Sequence, residues 1–137
     1  MKTYNCLFCG KESKVSLHQK ANKYCSNTCQ LSYQSKEKLD EWLKTGTVDT
    51  KSTPVWIKRY ILEKQEGKCF TCGILDWNNK PIVFELEHRD GDSSNNTEDN
   101  LCCLCPNCHS QTSTYKAKNR GNGRHARRTR YKEGKSF

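Results

Sequence analysis

The strongest constraint on this chain is its cysteine spacing. Eight of its ten cysteines fall in close pairs: Cys6 and Cys9, Cys25 and Cys29, Cys69 and Cys72, Cys105 and Cys108. Leu, Ile, Val and Phe together supply only 22 of 137 residues, too little apolar mass to close a fold of this size without crosslinks or metals. Met1-Lys2-Thr3-Tyr4-Asn5 runs into the first pair with no apolar stretch. The expectation is therefore a reducing cytoplasm, where CxxC pairs read as zinc ligands rather than disulfides. No run of apolar residues is long enough for a membrane span, so no membrane partner is expected.

Cys6-Leu-Phe-Cys9-Gly10 forms a zinc knuckle, and Cys25 and Cys29, four apart, reach one metal if a helix starts there. His18 is a weaker substitute ligand. The 15 residues between these pairs are polar and suit a hairpin. From Ser26 to Lys44 the chain lacks Gly and Pro; Leu39, Trp42 and Leu43 share one helical face, and Gly46 supplies a stop. Residues 45–53 read as a linker. Pro54 suits the first turn of a second helix, capped by Ser52 or Thr53, with Val55, Trp56, Tyr60 and Ile61 as its apolar face and Gly67 at its end.

A second four-thiolate site is predicted from Cys69, Cys72, Cys105 and Cys108, with Cys102 and Cys105 as a competing register. Within this clip, Pro81–His88 reads as a strand with Ile82, Phe84 and Leu86 alternating. The polar loop Ser93–Asp99 follows. Leu101–Leu104 reads as a second strand whose cysteines are buried hydrophobes, and a helix runs from the knuckle through about Lys118. Asp90-Gly91-Asp92 lacks the rest of a calcium loop, so Gly91 is read as a turn.

Glu87-His88, Asn100 and Cys105-Pro-Asn-Cys-His-Ser-Gln-Thr112 stand in that order inside the clip. From Cys69 to about Arg124 the chain resembles the HNH endonucleases of the ββα-metal class, especially small phage and mobile-element members. The resemblance implies a small zinc-stabilised α+β protein. Its ββα-metal, treble-clef-like nuclease domain (68–120) follows a treble-clef-like N-terminal zinc finger with its helix (1–46) and a linker with a connecting helix (47–67). It implies two structural Zn²⁺ and one catalytic divalent cation, Mg²⁺ first, with Mn²⁺ or another transition metal as alternates.

The implied roles agree with residue chemistry. Phosphodiester hydrolysis needs a base for water and a cation to stabilise developing charge. Histidine ordinarily titrates near neutrality, which suits His88 as general base. Glu87 and His109 would hold the cation, a carboxylate and an imidazole leaving room for water and phosphate. Asn100 would tie down the loop and orient His88. Family members commonly carry Asp or His at the position of Glu87, and some carry a further His where this chain has Ser113. Water attack would leave 5′-phosphate and 3′-hydroxyl ends.

Net charge is +9, and nine basic residues against one acid lie between Lys116 and Phe137, so the tail (121–137) and the residues leading into it carry +8. That segregation points to DNA as partner, through Arg89, Lys116, Lys118, Arg120, Arg124, Arg127, Arg128 and Arg130. A homodimer and a phage packaging or recombination partner stay open, and a phage-encoded chain would act in the host bacterial cytoplasm. The rival readings are a zinc-dependent DNA-binding module that does not cut and an accessory protein of another nuclease or packaging machine.

Overall fold

A computed structural model describes residues 1–20, 22–119, Thr129 and 132–134. The chain forms a small mixed α/β fold of two compact units, Met1–Lys44 and Thr45–Phe137.

In the first unit, strands β1 (Lys2–Asn5) and β2 (Glu12–Val15) pair antiparallel, Lys2 opposite Val15 and Asn5 opposite Glu12. The hairpin thus straddles the first knuckle rather than lying wholly between the cysteine pairs. Tight turns explain this: Gly10 N–H donates to the Cys6 carbonyl at 2.9 Å, with Gly10 at φ 72°, a left-handed conformation that favours glycine. Helix α1 (Asn27–Thr45) follows, and the Ser26 hydroxyl accepts the Cys29 N–H at 3.2 Å, satisfying one of the donors a helix start leaves open. Trp42 is its buried residue. Leu43, expected on the same face, is exposed.

The second unit begins with the segment expected to be a linker. Helix α2 (Val55–Lys64) has Pro54 itself as N-cap, and neither Ser52 nor Thr53 caps it. The Thr53 hydroxyl donates instead to Asn96. The buried face of α2 is Ile57 and Ile61, one helical turn apart, while Val55 is 73% exposed. Trp56 and Tyr60 of the expected face are half-buried and Ile61 is buried, so the face differs in two residues: Val55, in the first turn, faces solvent, and Ile57, one turn before Ile61, takes the core position. A minimal hairpin of β3 (Asp76–Trp77) and β4 (Lys80–Pro81) turns through Asn78 and Asn79, both at positive φ.

Strand β5 (Glu85–His88) is shorter than the run expected from Pro81. Ile82–Phe84 lie outside any strand, and within β5 the buried residue is Glu87 rather than Leu86, which is half-buried. Strand β6 (Leu101–Leu104) pairs antiparallel with β5 and is buried throughout, including Cys102 and Cys103. Helix α2 packs on β6. The far edge of β6 is closed by a side chain: Gln65 Oε1 accepts the Cys103 N–H at 2.8 Å, and Gln65 Nε2 donates to the Cys103 carbonyl at 2.9 Å. Phe70 N–H donates to the same carbonyl at 3.0 Å. Helix α3 (Pro106–Ser110) is one turn, not a helix to Lys118; it closes at Gln111, and a 3-10 turn at Lys116–Asn119 comes after a break.

Candidate metal centres and active site

Each unit gathers four cysteines whose sulfurs lie within 4.8 Å of one another: Cys6, Cys9, Cys25, Cys29 and Cys69, Cys72, Cys105, Cys108. The sulfurs of Cys9 and Cys25 are 3.6 Å apart, those of Cys25 and Cys29 3.5 Å, and those of Cys72 and Cys105 3.7 Å. A disulfide requires about 2.05 Å, whereas four thiolates at about 2.3 Å from a central ion lie about 3.8 Å from each other. Both clusters therefore fit a tetrahedral metal ion. His18 and Cys102 belong to neither, which decides the register in favour of Cys105 and Cys108.

The knuckle backbones prepare the ligands. N–H donors of Cys9, Cys25 and Phe8 hold the Cys6 thiol down at about 6 against its burial. Burial pushes Cys69 upward, but N–H groups of Cys72, Cys105 and Thr71 bring it to about 6. Donation of the Cys25 thiol hydrogen to Cys29, and the hydrogen bond Cys25 shares with Cys9, drive Cys25 up to about 12, and burial followed by the hydrogen bond to Cys72 does the same for Cys108. Crowded thiols cannot all ionise together unaided, and a bound cation removes that conflict. Cys102 is pushed up to about 11 by burial and behaves as core.

On β5, alternation puts Glu85 and Glu87 on one face. His109, in α3 directly after the last cysteine ligand, meets both carboxylates. Its Nε2 lies 3.0 Å from Glu87 Oε2, and its Nδ1 lies against Glu85 Oε2. That Nδ1 is buried and makes no well-aligned hydrogen bond. The Thr114 hydroxyl donates to the other Glu87 oxygen, and the Tyr115 ring stands edge-on to the imidazole at 5.1 Å. A largely buried carboxylate facing a half-buried imidazole, with a second carboxylate against the other ring nitrogen, is a donor set that fits a divalent cation.

His88 has different neighbours. Its Nε2 is 3.0 Å from Asn96 Oδ1 and 3.5 Å from the Thr53 hydroxyl. Asn100, expected to orient His88, pairs instead with the loop: its Nδ2 donates to Asp90 Oδ1 at 2.9 Å and to the Asn95 carbonyl at 2.8 Å, and its Oδ1 accepts the Asp90 N–H at 3.0 Å. The tying of the loop is thus present, and the contact to His88 belongs to Asn96. Asn100 sits one residue before β6, where it faces the turn after β5 and not the ring. Burial works to raise Asp90, yet Asn95, the Asp92 N–H, Asn100 and nearby His88 together hold it below the ordinary carboxylate range.

Arg89 is exposed; it stacks 5.4 Å above the Phe70 ring and reaches the Asp99 carbonyl at 3.3 Å. Lys116 lies 4.8 Å over Tyr115, and Lys118 is exposed. Arg120, Arg124, Arg127, Arg128 and Arg130 lie outside the described residues. Sequence reasoning missed Asn96, Thr53, Glu85 and Thr114. Only Glu85 left a signal, its i, i+2 spacing from Glu87.

Over 67 residues, amounting to 47% of this chain, the sequence is 53% identical to the H-N-H endonuclease F-TflIV of Escherichia phage T5. The chain is therefore homologous over part of its length to an HNH endonuclease, and it spans 30% of that relative's length. No family model and no solved structure matches it.

Proposed function

We propose that the Thr45–Phe137 unit is a ββα-metal nuclease of the HNH type that hydrolyses DNA phosphodiester bonds, and that each cysteine cluster holds a structural Zn²⁺. The observation that carries this reading is the meeting of Glu87 and His109 at 3.0 Å inside the cysteine clip, with His88 the next residue along the strand.

Glu87 and His109 would hold one divalent cation, Mg²⁺ before Mn²⁺. Bound there, the cation supplies charge stabilisation at the scissile phosphate and leaving oxygen. Neighbouring strand residues project to opposite faces, which sets His88 across β5 from the Glu87 carboxylate. In-line displacement would need the base on the side of the attacking water and the cation at the leaving group, both at the C-terminal end of β5 where Glu87 and His88 adjoin. Thr114 fixes one oxygen of Glu87, and Glu85 steadies the far ring nitrogen of His109. Asn100 and Asp90 hold the intervening loop in shape. Arg89, Lys116, Lys118 and the tail arginines contact the DNA backbone, which gives affinity without sequence readout.

The test is nicking of supercoiled plasmid by the full chain and by His88→Ala, with Mg²⁺ or Mn²⁺ titrated at low salt. Metal-dependent conversion to open circle, lost by at least about 100-fold in the variant while DNA binding persists, is expected for a positioned base. Equal DNA binding with no cutting by either protein would overturn the reading in favour of a binding module.

A further inference from the structure

We propose that Asn96 and Thr53 form a positioning relay that sets the tautomer of His88, keeping the proton on Nε2 and the lone pair of Nδ1 free. This deepens the nuclease reading and rests on it for its catalytic meaning, but the relay itself is a statement about one imidazole ring.

Asn96 lies in the polar loop between β5 and β6 and is only 5% exposed, one of two buried polar side chains among the described residues. Its Oδ1 receives two groups: the Thr53 hydroxyl at 2.6 Å and His88 Nε2 at 3.0 Å. An amide oxygen can only accept, so the ring nitrogen facing it must be the one that carries hydrogen. The amide orientation is itself constrained. Asn96 Nδ2 points to the Ser94 carbonyl at 3.4 Å, and turning the amide over would set two oxygens against each other there.

A neutral imidazole has one N–H and one lone pair. With Nε2–H committed to Asn96, Nδ1 is the atom that accepts a proton from water. Histidine bases generally need such a partner, because a ring in the wrong tautomer presents N–H where a lone pair is required. Thr53 extends the control. It precedes α2, and by donating to Asn96 rather than capping that helix it anchors the amide to a second part of the unit. Thr53 and Asn96 both line a polar cavity of about 240 Å³, so replacements of similar size at either position have room.

The test is long-range proton–nitrogen NMR of the full chain with its cysteine clusters metal-loaded, labelled in histidine, with no DNA and no added Mg²⁺; loss of signals in His88→Gln assigns the ring. The expected result is a single Nε2–H tautomer for neutral His88, with Nδ1 in the unprotonated range. Asn96→Leu should give an averaged pair of tautomers, Thr53→Val a partial shift, and Thr53→Ser the wild-type pattern. In nicking assays Asn96→Leu should lower kcat by up to about 100-fold, a loss of general-base efficiency, with KM unchanged. An averaged or Nδ1–H ring in the wild type overturns the relay and needs no variant to fold. So does an unchanged ring in a folded Asn96→Leu. Because the ring spectrum requires neither DNA nor cleavage, an Nε2–H ring in a protein that never nicks would sink the nuclease reading alone, and a nicking protein with an averaged ring would sink the relay alone.

Discussion

Asp90 shows how much of this site depends on single hydrogen-bonded side chains. Its carboxylate accepts from Asn95, Asn100 and the Asp92 N–H, and these donors hold it below its ordinary value although burial opposes them. A carboxylate lowered in this way favours the folded state at any pH above its unfolded value, near 3.8, and that contribution disappears as pH falls through the lowered folded value. The stability difference between wild type and Asp90→Asn should therefore be constant from neutrality down to about pH 5 and shrink below about pH 4. Denaturation of both proteins across that range measures it, and loss of cysteine-bound metal in acid affects both alike. Glu87 and His109 could be picked out as partners from their motif. Asn96 could not, because six asparagines and aspartates between β5 and β6 carry no label saying which faces the ring.

At the scale of elements, β6 is the organising strand. It is buried along its whole length, yet among the described residues one edge has no neighbouring strand, and a buried backbone N–H without a partner is costly. Gln65, just past α2, supplies the missing ladder bonds with both ends of its amide. Gln65→Leu keeps the size but leaves the Cys103 N–H unmatched, and should cost about 1–3 kcal/mol, read by thermal or chemical denaturation at constant metal occupancy. The same α2 carries Tyr60 and Lys64 to the Glu98 carboxylate at 3.1 and 2.5 Å, fastening the loop that bears Asn96. Sequence periodicity located α2 and β6 but not these ties, since periodicity reports which face is apolar and is silent on which polar side chain closes an edge.

Across the whole molecule, each unit closes around its own set of sulfurs. Among the described residues the first unit buries only Cys6 and Trp42 as apolar core, and the second adds Ile57, Ile61, Phe84 and β6. With so little apolar core, a metal bound at each cluster would supply much of the folding free energy of its unit. Cys72→Ser should accordingly reduce bound zinc from about two per chain to about one, with amide signals of Met1–Lys44 retained; elemental analysis and NMR of the full chain measure both. The segment from 47 to 67, expected as a linker with a connecting helix, belongs to the second unit and builds part of its site. The cysteine quartets, the order of Glu87, His88, Asn100 and His109, and the charged tail were all legible in the sequence, because ligand spacing and motif order are constraints written along a short stretch of chain. The tertiary structure alone decided that Asn96 rather than Asn100 meets His88, that Thr53 holds that amide instead of capping α2, and that Gln65 completes β6. The first two contacts depend on the path of the loop between β5 and β6, set by the sum of many weak polar bonds, and the third on how α2 docks against β6; no local pattern records either.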